Sequence, residues 1–402
     1  MTQRRFGHSH LSGTNLERAG DHNQRVTLHA IRVTGPITRV ELAGITGLTP
    51  PAIANITKRL LNEGLIREAG RRRGGRGQPA TKLVINPDSL FSIGLNVDRD
   101  HITMVVLDFE GQVRARASRE IAFAMPSDVE KFFRERVRKL LAQVDVGREK
   151  LAGIGVASPD DMPHAATLPH QPADYNIWAT TDIPALLQKT LHVPVFVEND
   201  AAAATIGEMQ FGLGKKYQTF FYILITAALG GSLVVEGHHF RGASGRSGEL
   251  GLLEGKDPSG RDRQIQEIVS LSALFGRLAA QGIVMAGPNE LARLDERGRA
   301  IVDAWTEDAV DTLLSPLISI NCLFNPQAIL IGGRLPAGIV DNLATRLNQK
   351  LHSHSTKVPA IAPVSRAALS DDAPAVGAAI LPFSDRLLPT RTALMLMKVV
   401  AG

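Results

Sequence analysis

The sequence predicts an α/β protein in two parts, a small basic domain of short helices and a larger domain of two similar halves. Three observations predict this. Positive charge gathers at one end: residues 1–86 hold 14 Lys+Arg against 5 Asp+Glu, a net of +9, while the remainder holds 31 against 35, a net of −4. Capping residues and glycines divide residues 38–64 into a short helix, a turn and a longer helix. From Ser92 onward, strand-like runs alternate with helical ones.

Composition narrows the field. The chain has 402 residues, 44% hydrophobic and 21% charged, which is ordinary for a globular protein of more than one domain. It has no uninterrupted apolar run of about 18 residues. Its first 20 residues lack the apolar core of a signal peptide, so the expected compartment is the cytoplasm and no membrane is expected as partner. The single cysteine, Cys322, excludes an intrachain disulfide and a cysteine-built zinc site, and no metal or cofactor is expected. The concentrated positive charge fits a polyanion binder. A solvated basic surface is the plainer alternative.

Residues 1–19 read as a tail and residues 20–88 as the first domain. Residues 22–33 form a predicted helix, with Val26, Leu28, Ile31 and Arg32 giving a partly apolar face, and Gly35-Pro36 breaks it. Thr38 caps the helix TRVELAGIT, and Glu41 three residues on completes a capping box. Gly47 makes the turn. Thr49 is the next cap, with Pro50 at the first helical position, where a missing N–H costs nothing. The helix PPAIANITKRLLNE then stops at Gly64.

In that helix Ile53, Ile56, Leu60 and Leu61 are expected to form the buried stripe. Ala52, Asn55, Lys58 and Arg59 then point outward, with chemistry suited to base edges and phosphates. This is helix-turn-helix spacing. LIREAG, RRRGGRGQP and ATKLVINP follow as strand, basic loop and strand, a β-hairpin wing. Arg71, Arg72, Arg73 and Arg76 on that loop can follow a phosphate backbone or enter a minor groove; a solvated linker is the alternative. With Thr49 and Gln78, these residues are the candidate contacts to double-stranded operator DNA.

Residues 89–385 read as the larger domain and residues 386–402 as a terminal segment. IGLNVD, ITMVVLDF and QVRARASREIAF are strand-like runs that fit a meander. SDVEKFFRERVRKLLAQV is an amphipathic helix, LAGIGVAS a buried strand and VPVFVEND another strand. FFYILITAALGGSLVVEG reads as a hairpin, and a second half follows with long helices and the buried strand AILIGG.

Four segments carry a family resemblance. VENDAAAATIGE (197–208) resembles E-N-D-A-N-A-A-A-x-G-E of the ROK family, named for its repressors, open reading frames and kinases. FRGASGRSGELG (240–251) resembles R-G-A-x-G-x-A-G-E-I-G-H, and LFNPQAILIGG (323–333) resembles N-P-x-x-I-x-I-G-G. GRGQPATKLVINP (75–87) resembles the joint between winged helix and sugar domain in the repressor branch. The resemblance implies a duplicated actin-like, sugar-kinase-like fold related to ribonuclease H, preceded by a winged helix-turn-helix. It also implies that Asp200 matches the kinase base, that Asn199 and Glu249 bind sugar hydroxyls, and that Glu267 matches a further sugar ligand. Asp200 is equally placed to cap the helix that follows it.

The phosphate machinery departs from the family. D-I-G-G-T-K aligns with Asn96-Val97-Asp98-Arg99-Asp100-His101, without either glycine and with two added negative charges. G-T-G-x-G-G-G appears as Thr226-Ala227-Ala228-Leu229-Gly230-Gly231-Ser232. The family's zinc ligands are absent as well: Leu252 stands in the histidine place, and KDPSGRDRQIQE (256–267) replaces the cysteine cluster. In ADYNIWATTDIPALL (173–187), Asn176 or Asp174 is placed to reach hydroxyls, and Tyr175 or Trp178 either stacks on a sugar or packs in the core. The histidines, among them His164, His170, His238 and His239, show no metal-ligand spacing and read as surface residues. The expectation is a sugar-controlled regulator without catalytic residues, acting as a homodimer or homotetramer. A bifunctional sugar kinase is the alternative.

Overall fold

The computed structural model describes residues 16–72, 80–160, 162, 172–257, 259–354, 358, 360–369 and 372–389. They fall into two compact units, one ending at Ser89 and joined by the segment from Ser384, the other spanning Leu90–Phe383.

The first unit is a winged helix-turn-helix. Helix α1 (Leu16–Thr34) begins earlier than its apolar pattern predicts, and it buries Thr27, Leu28, Ala30 and Ile31. Strand β1 (Ile37–Thr38) leads into α2 (Arg39–Thr46), where Thr38 and Glu41 complete the predicted capping box. Gly47, at a φ of 70°, supplies the left-handed turn that ends α2. Helix α3 (Pro50–Asn62) starts after Thr49, but the Thr49 hydroxyl makes no capping bond.

The buried stripe of α3 also differs from expectation. It is Ile53, Thr57 and Leu60, while Ile56 and Leu61 are half-buried. A threonine sits in the core because its hydroxyl is satisfied there. It donates to Ile53 O at 2.8 Å and accepts from Arg39 Nε at 2.9 Å, tying α2 to α3. Strands β2 (Ile66–Arg72) and β3 (Ala80–Ile85) pair antiparallel as the wing, with β1 on the other side of β3.

In the second unit β4 (Phe91–Val97), β5 (His101–Asp108) and β6 (Val113–Glu120) form the predicted meander. Helix α4 (Pro126–Gln143), β7 (Leu151–Ser158), α5 (Ile183–Gln188) and β8 (Val195–Asn199) complete the first lobe, in sheet order β6-β5-β4-β7-β8. Helix α6 (Asp200–Phe211) leads to the hairpin β9 (Phe220–Ile225) and β10 (Leu229–Val235), followed by the short β11 (His238–His239). A small hairpin, β12 (Glu254–Lys256) and β13 (Asp262–Gln264), precedes α7 (Leu271–Ala280) and the long α8 (Glu296–Phe324). Strand β14 (Ala328–Gly333), α9 (Ala337–His352), β15 (Val364–Arg366) and α10 (Ala373–Arg386) close the chain.

The second sheet runs β11-β10-β9-β14-β15. In both sheets three strands pair antiparallel and the next two add in parallel, so the lobes share one topology. The two expected halves are therefore present. Strand β4 pairs with β7 and β7 with β8, and Ser158 lies opposite Asn199. The carboxyl ends of these parallel strands define the crevice where an open α/β sheet places its ligands.

Candidate functional site

On the first unit, α3 offers an outward face. Asn55, Lys58 and Arg59 are exposed, as is Thr49 at its start. Ala52 is half-buried, whereas Ala54, which periodicity did not single out, is exposed. Arg71 and Arg72 fall in β2, opposite Thr81 and Ala80. Arg73, Arg76 and Gln78 lie outside the described residues.

On the second unit, a cavity of about 260 Å³ opens between the lobes, at the smaller end for a ligand pocket. Asn199 and Asp200 form one wall and Glu249 another. Asn199, not Asp200, is the cap of α6: its Oδ1 accepts from the Ala202 N–H at 3.1 Å. The reason is register, since β8 runs through Asn199 and Asp200 is already the first helical residue. The Asp200 carboxylate accepts from Ala201 N–H at 2.8 Å. Burial pushes its pKa up to about 7, and Asp98 adds to this against the Ala201 N–H and Arg99. Near neutral pH the group exists in both forms.

Glu249 accepts from Arg246 Nε at 3.0 Å, and Arg246 lies 3.9 Å from Asp160. Asp160, Arg246, His239, Gln264 and Gln266 complete much of the polar lining, and sequence reasoning missed all five. Asp160 left a signal by following the buried strand LAGIGVAS at its carboxyl end, and Arg246 by lying within FRGASGRSGELG. His239 is half-buried, and that burial lowers its pKa.

Two expected residues do not reach this cavity. Asn176 is exposed on a 3-10 turn whose Tyr175 and Trp178 turn inward to the first lobe's core, with Trp178 Nε1 donating to Ala124 O at 2.9 Å. Glu267 is occupied by bracing the β12–β13 hairpin, accepting from Gln264 N and Arg263 Nη1, both at 3.1 Å. The turn of that hairpin is held by Asp257, which accepts from Ser259 N at 2.9 Å and Arg261 N at 3.1 Å. A carboxylate thus holds the stretch that cysteines hold in the kinases the sequence resembles. His164 and His170 lie outside the described residues.

A larger groove of about 880 Å³ lies on the far side of Glu249, against α8. Its lining includes Glu254, Lys256, Asp257, Asp308 and Asp311 together with apolar side chains such as Leu253 and Leu323. It lacks the Asn199–Asp200 pair, so the smaller cavity is the site.

The two loops expected to fail at phosphate binding have other occupations. In the β4–β5 turn, Asp98 Oδ1 takes the Arg99 N–H at 2.7 Å, and the Arg99 and Asp100 carbonyls accept from Ala124 and Ile121 N–H at 3.0 Å. Asp98, Asp100 and His101 bring ligand atoms within 4.8 Å of one another. Both His101 nitrogens are already engaged, however, with Asp100 Oδ1 at 2.8 Å and Asn96 Nδ2 at 3.0 Å, so the group reads as a hydrogen-bond network. In the second loop Gly231 survives for packing: a Cβ there would meet Gly248 O at 2.4 Å.

The motifs also hold each other. Glu198 of VEND pairs with Arg241 of FRGASG and accepts from Asn199 N–H at 3.0 Å, which draws the second motif over the first.

Comparison with known proteins agrees with this geometry. The profile of the ROK family matches residues 92–384, and one for winged helix-turn-helix DNA-binding domains matches residues 21–67. The chain is similar to the xylose repressor of Bacillus subtilis, 25% identical over 374 residues that cover 88% of this chain and 93% of that protein. A crystal structure of a ROK family transcriptional regulator, a homologue of the E. coli MLC protein, superposes with a TM-score of 0.65 at 22% identity, covering 96% of this chain and 100% of that one. A ROK family glucokinase from Streptomyces griseus in complex with glucose and AMPPNP gives 0.55 at 20% identity, covering 72% and 98%. These two likenesses bear on fold alone. Among the described residues no helix is long and apolar enough to cross a membrane.

Proposed function

The chain belongs to the ROK family and carries a winged helix-turn-helix ahead of the family domain; from that premise we propose that it is a sugar-responsive transcriptional repressor without kinase activity. The first unit reads double-stranded DNA, through α3 in a major groove and the wing on the backbone. The second unit takes a monosaccharide or a close derivative between Asn199, Asp200 and Glu249. The ligand acts by binding the DNA-competent and DNA-incompetent arrangements unequally.

The observation that carries this reading is the contrast within one cavity. Asn199, Asp200 and Glu249 line the cavity, while in the β4–β5 turn beside it Asp98 takes the Arg99 N–H and His101 engages the Asp100 carboxylate. Phosphoryl transfer depends on positioned backbone donors for the phosphates, whereas this turn directs its Arg99 N–H to Asp98 and adds the carboxylates of Asp98 and Asp100. One observation favours the kinase alternative: Asp200, with a pKa near 7, is well matched to general-base work.

Calorimetry with D-xylose, D-glucose and further aldoses, followed by operator binding with each ligand found and a coupled ATP-turnover assay, tests the proposal. The expected result is a sugar that binds, changes operator affinity and is recovered unphosphorylated. Sugar phosphate formed at a catalytic rate would establish the kinase reading instead. A panel without any binder would remove the sugar-sensing part.

A further inference from the structure

The two sheets of the second unit are fastened to each other at a point outside the cavity. Strand β14 ends at Gly333, with a φ of 115°, where a Cβ would lie 2.0 Å from Ile225 O. Only glycine passes so close to β9. This passage delivers Arg334, whose N–H donates to Ile225 O at 2.9 Å and whose side chain leaves the second sheet for the first. There Nη1 donates to Asp100 Oδ2 at 2.9 Å and Nη2 donates to Glu120 Oε1.

The two acceptors are built as a pair. Asp100 precedes His101, which stands opposite Glu120 in the β5–β6 register, so both carboxylates meet one guanidinium. His101 Nδ1 holds the other Asp100 oxygen at 2.8 Å. Burial alone would raise the Asp100 pKa, but His101 and Arg334 together hold it below the usual value. Arg334 itself is 8% exposed, so salt screens this charge pair less than it screens a surface one.

We infer that Arg334 is a latch between the lobes, which sets the width of the sugar cavity by pairing with Asp100 and Glu120 and so closes the unit without a bound nucleotide. The cavity draws Asn199 and Arg99 from the first lobe and Gly230 and Glu249 from the second, so its shape depends on their separation. Arg334 does not line it and acts as a positioning residue. The sequence aligns the β4–β5 turn with a phosphate-binding loop of kinases; here a protein cation meets that turn. The cavity's part in this inference rests on the effector reading above, whereas the latch is a property of the unligated protein.

The test uses the full chain with R334Q, R334K and the milder E120Q. Hydrogen exchange without ligand should quicken in R334Q at residues 98–101 and 332–334 together, stay near the parent in R334K, and change slightly in E120Q. Whichever of D-xylose and D-glucose binds the parent should bind R334Q about tenfold more weakly, as expected when the competent arrangement becomes the minor one. Parental exchange rates at both segments in R334Q would overturn the latch. Faster exchange with unchanged sugar affinity would overturn its positioning role. If neither sugar binds the parent, the affinity comparison uses the aldose found in the panel above; if the whole panel fails, the effector reading fails and the exchange result alone decides the latch.

Discussion

Asp200 concentrates the chemistry of the second unit in one side chain. Its pKa is displaced from 3.8 to about 7, chiefly by burial, so folding costs free energy once the carboxyl must ionise. The sign follows from proton counts: between these values the folded chain holds a proton that the unfolded chain has lost, and stability falls as pH rises. The cost is absent below about pH 4, grows towards pH 7 and is constant above it. Asp200→Asn should therefore stabilise the protein at pH 8 and leave it unchanged at pH 4, measured as thermal midpoints across that range. Sugar affinity should move oppositely, rising through pH 7 as the ionised form accepts stronger hydrogen bonds, and this dependence should vanish in Asp200→Asn. A flat parental profile would mean that Asp200 does not touch the ligand. The main wall was legible because VEND and SGELG fix Asn199, Asp200 and Glu249 within continuous segments. Asp160, His239 and the neighbouring pair Gln264 and Gln266 were not, because these three places in the chain meet only through the fold. Glu267 misled because it sits in the 3-10 turn just after β13, where it folds back on Gln264 and Arg263 as a brace that motif matching cannot weigh.

Helix ends differ in how they are capped. Thr38 and Thr49 look alike in sequence, each before a short helix, yet only Thr38 caps, through Glu41 N and a returning Glu41 carboxylate. Thr38→Ala should cost about 1 kcal/mol in denaturant unfolding, the usual loss for a cap. Thr49→Ala should cost within about 0.5 kcal/mol, as for an uninvolved surface residue, and should instead weaken DNA binding if its hydroxyl meets a phosphate. Equal losses of stability would contradict the difference in capping. Thr57 teaches the complementary point. Periodicity gave α3 its helix and length but favoured Ile56 and Leu61 for the core, since it scores side chains by polarity alone. A buried hydroxyl whose bonds are satisfied by Ile53 O and Arg39 Nε is invisible to that rule. The continuous apolar runs of β7 and β14 were read residue for residue, because each strand is buried along its whole length.

For the whole molecule the governing facts are charge and copy number. The net of +9 over residues 1–86 against −4 elsewhere gives the chain one end attracted to a polyanion and one repelled by it. Neutralising Arg71, Arg72 and Arg73 should lower affinity for all duplexes alike and reduce the slope of log affinity against log salt by about one for each phosphate that is no longer neutralised. Asn55→Ala should instead alter which sequence is preferred. A triple variant with the parental salt slope would remove the wing from the interface. Copy number follows from the same physics. One recognition helix spans only a few base pairs, too little to select a site among the many non-specific ones a genome offers. Two copies related by a two-fold axis double the contacts and demand a palindrome with half-sites about one helical turn apart, or a multiple of it. The protein should therefore sediment as a dimer or larger at micromolar concentration. Its operator should lose most of its affinity when several base pairs that do not make up a full turn are inserted between the half-sites. A chain that sediments as a monomer both alone and on DNA would overturn this, and it would leave α3 to find its site with a single half-site's worth of contacts.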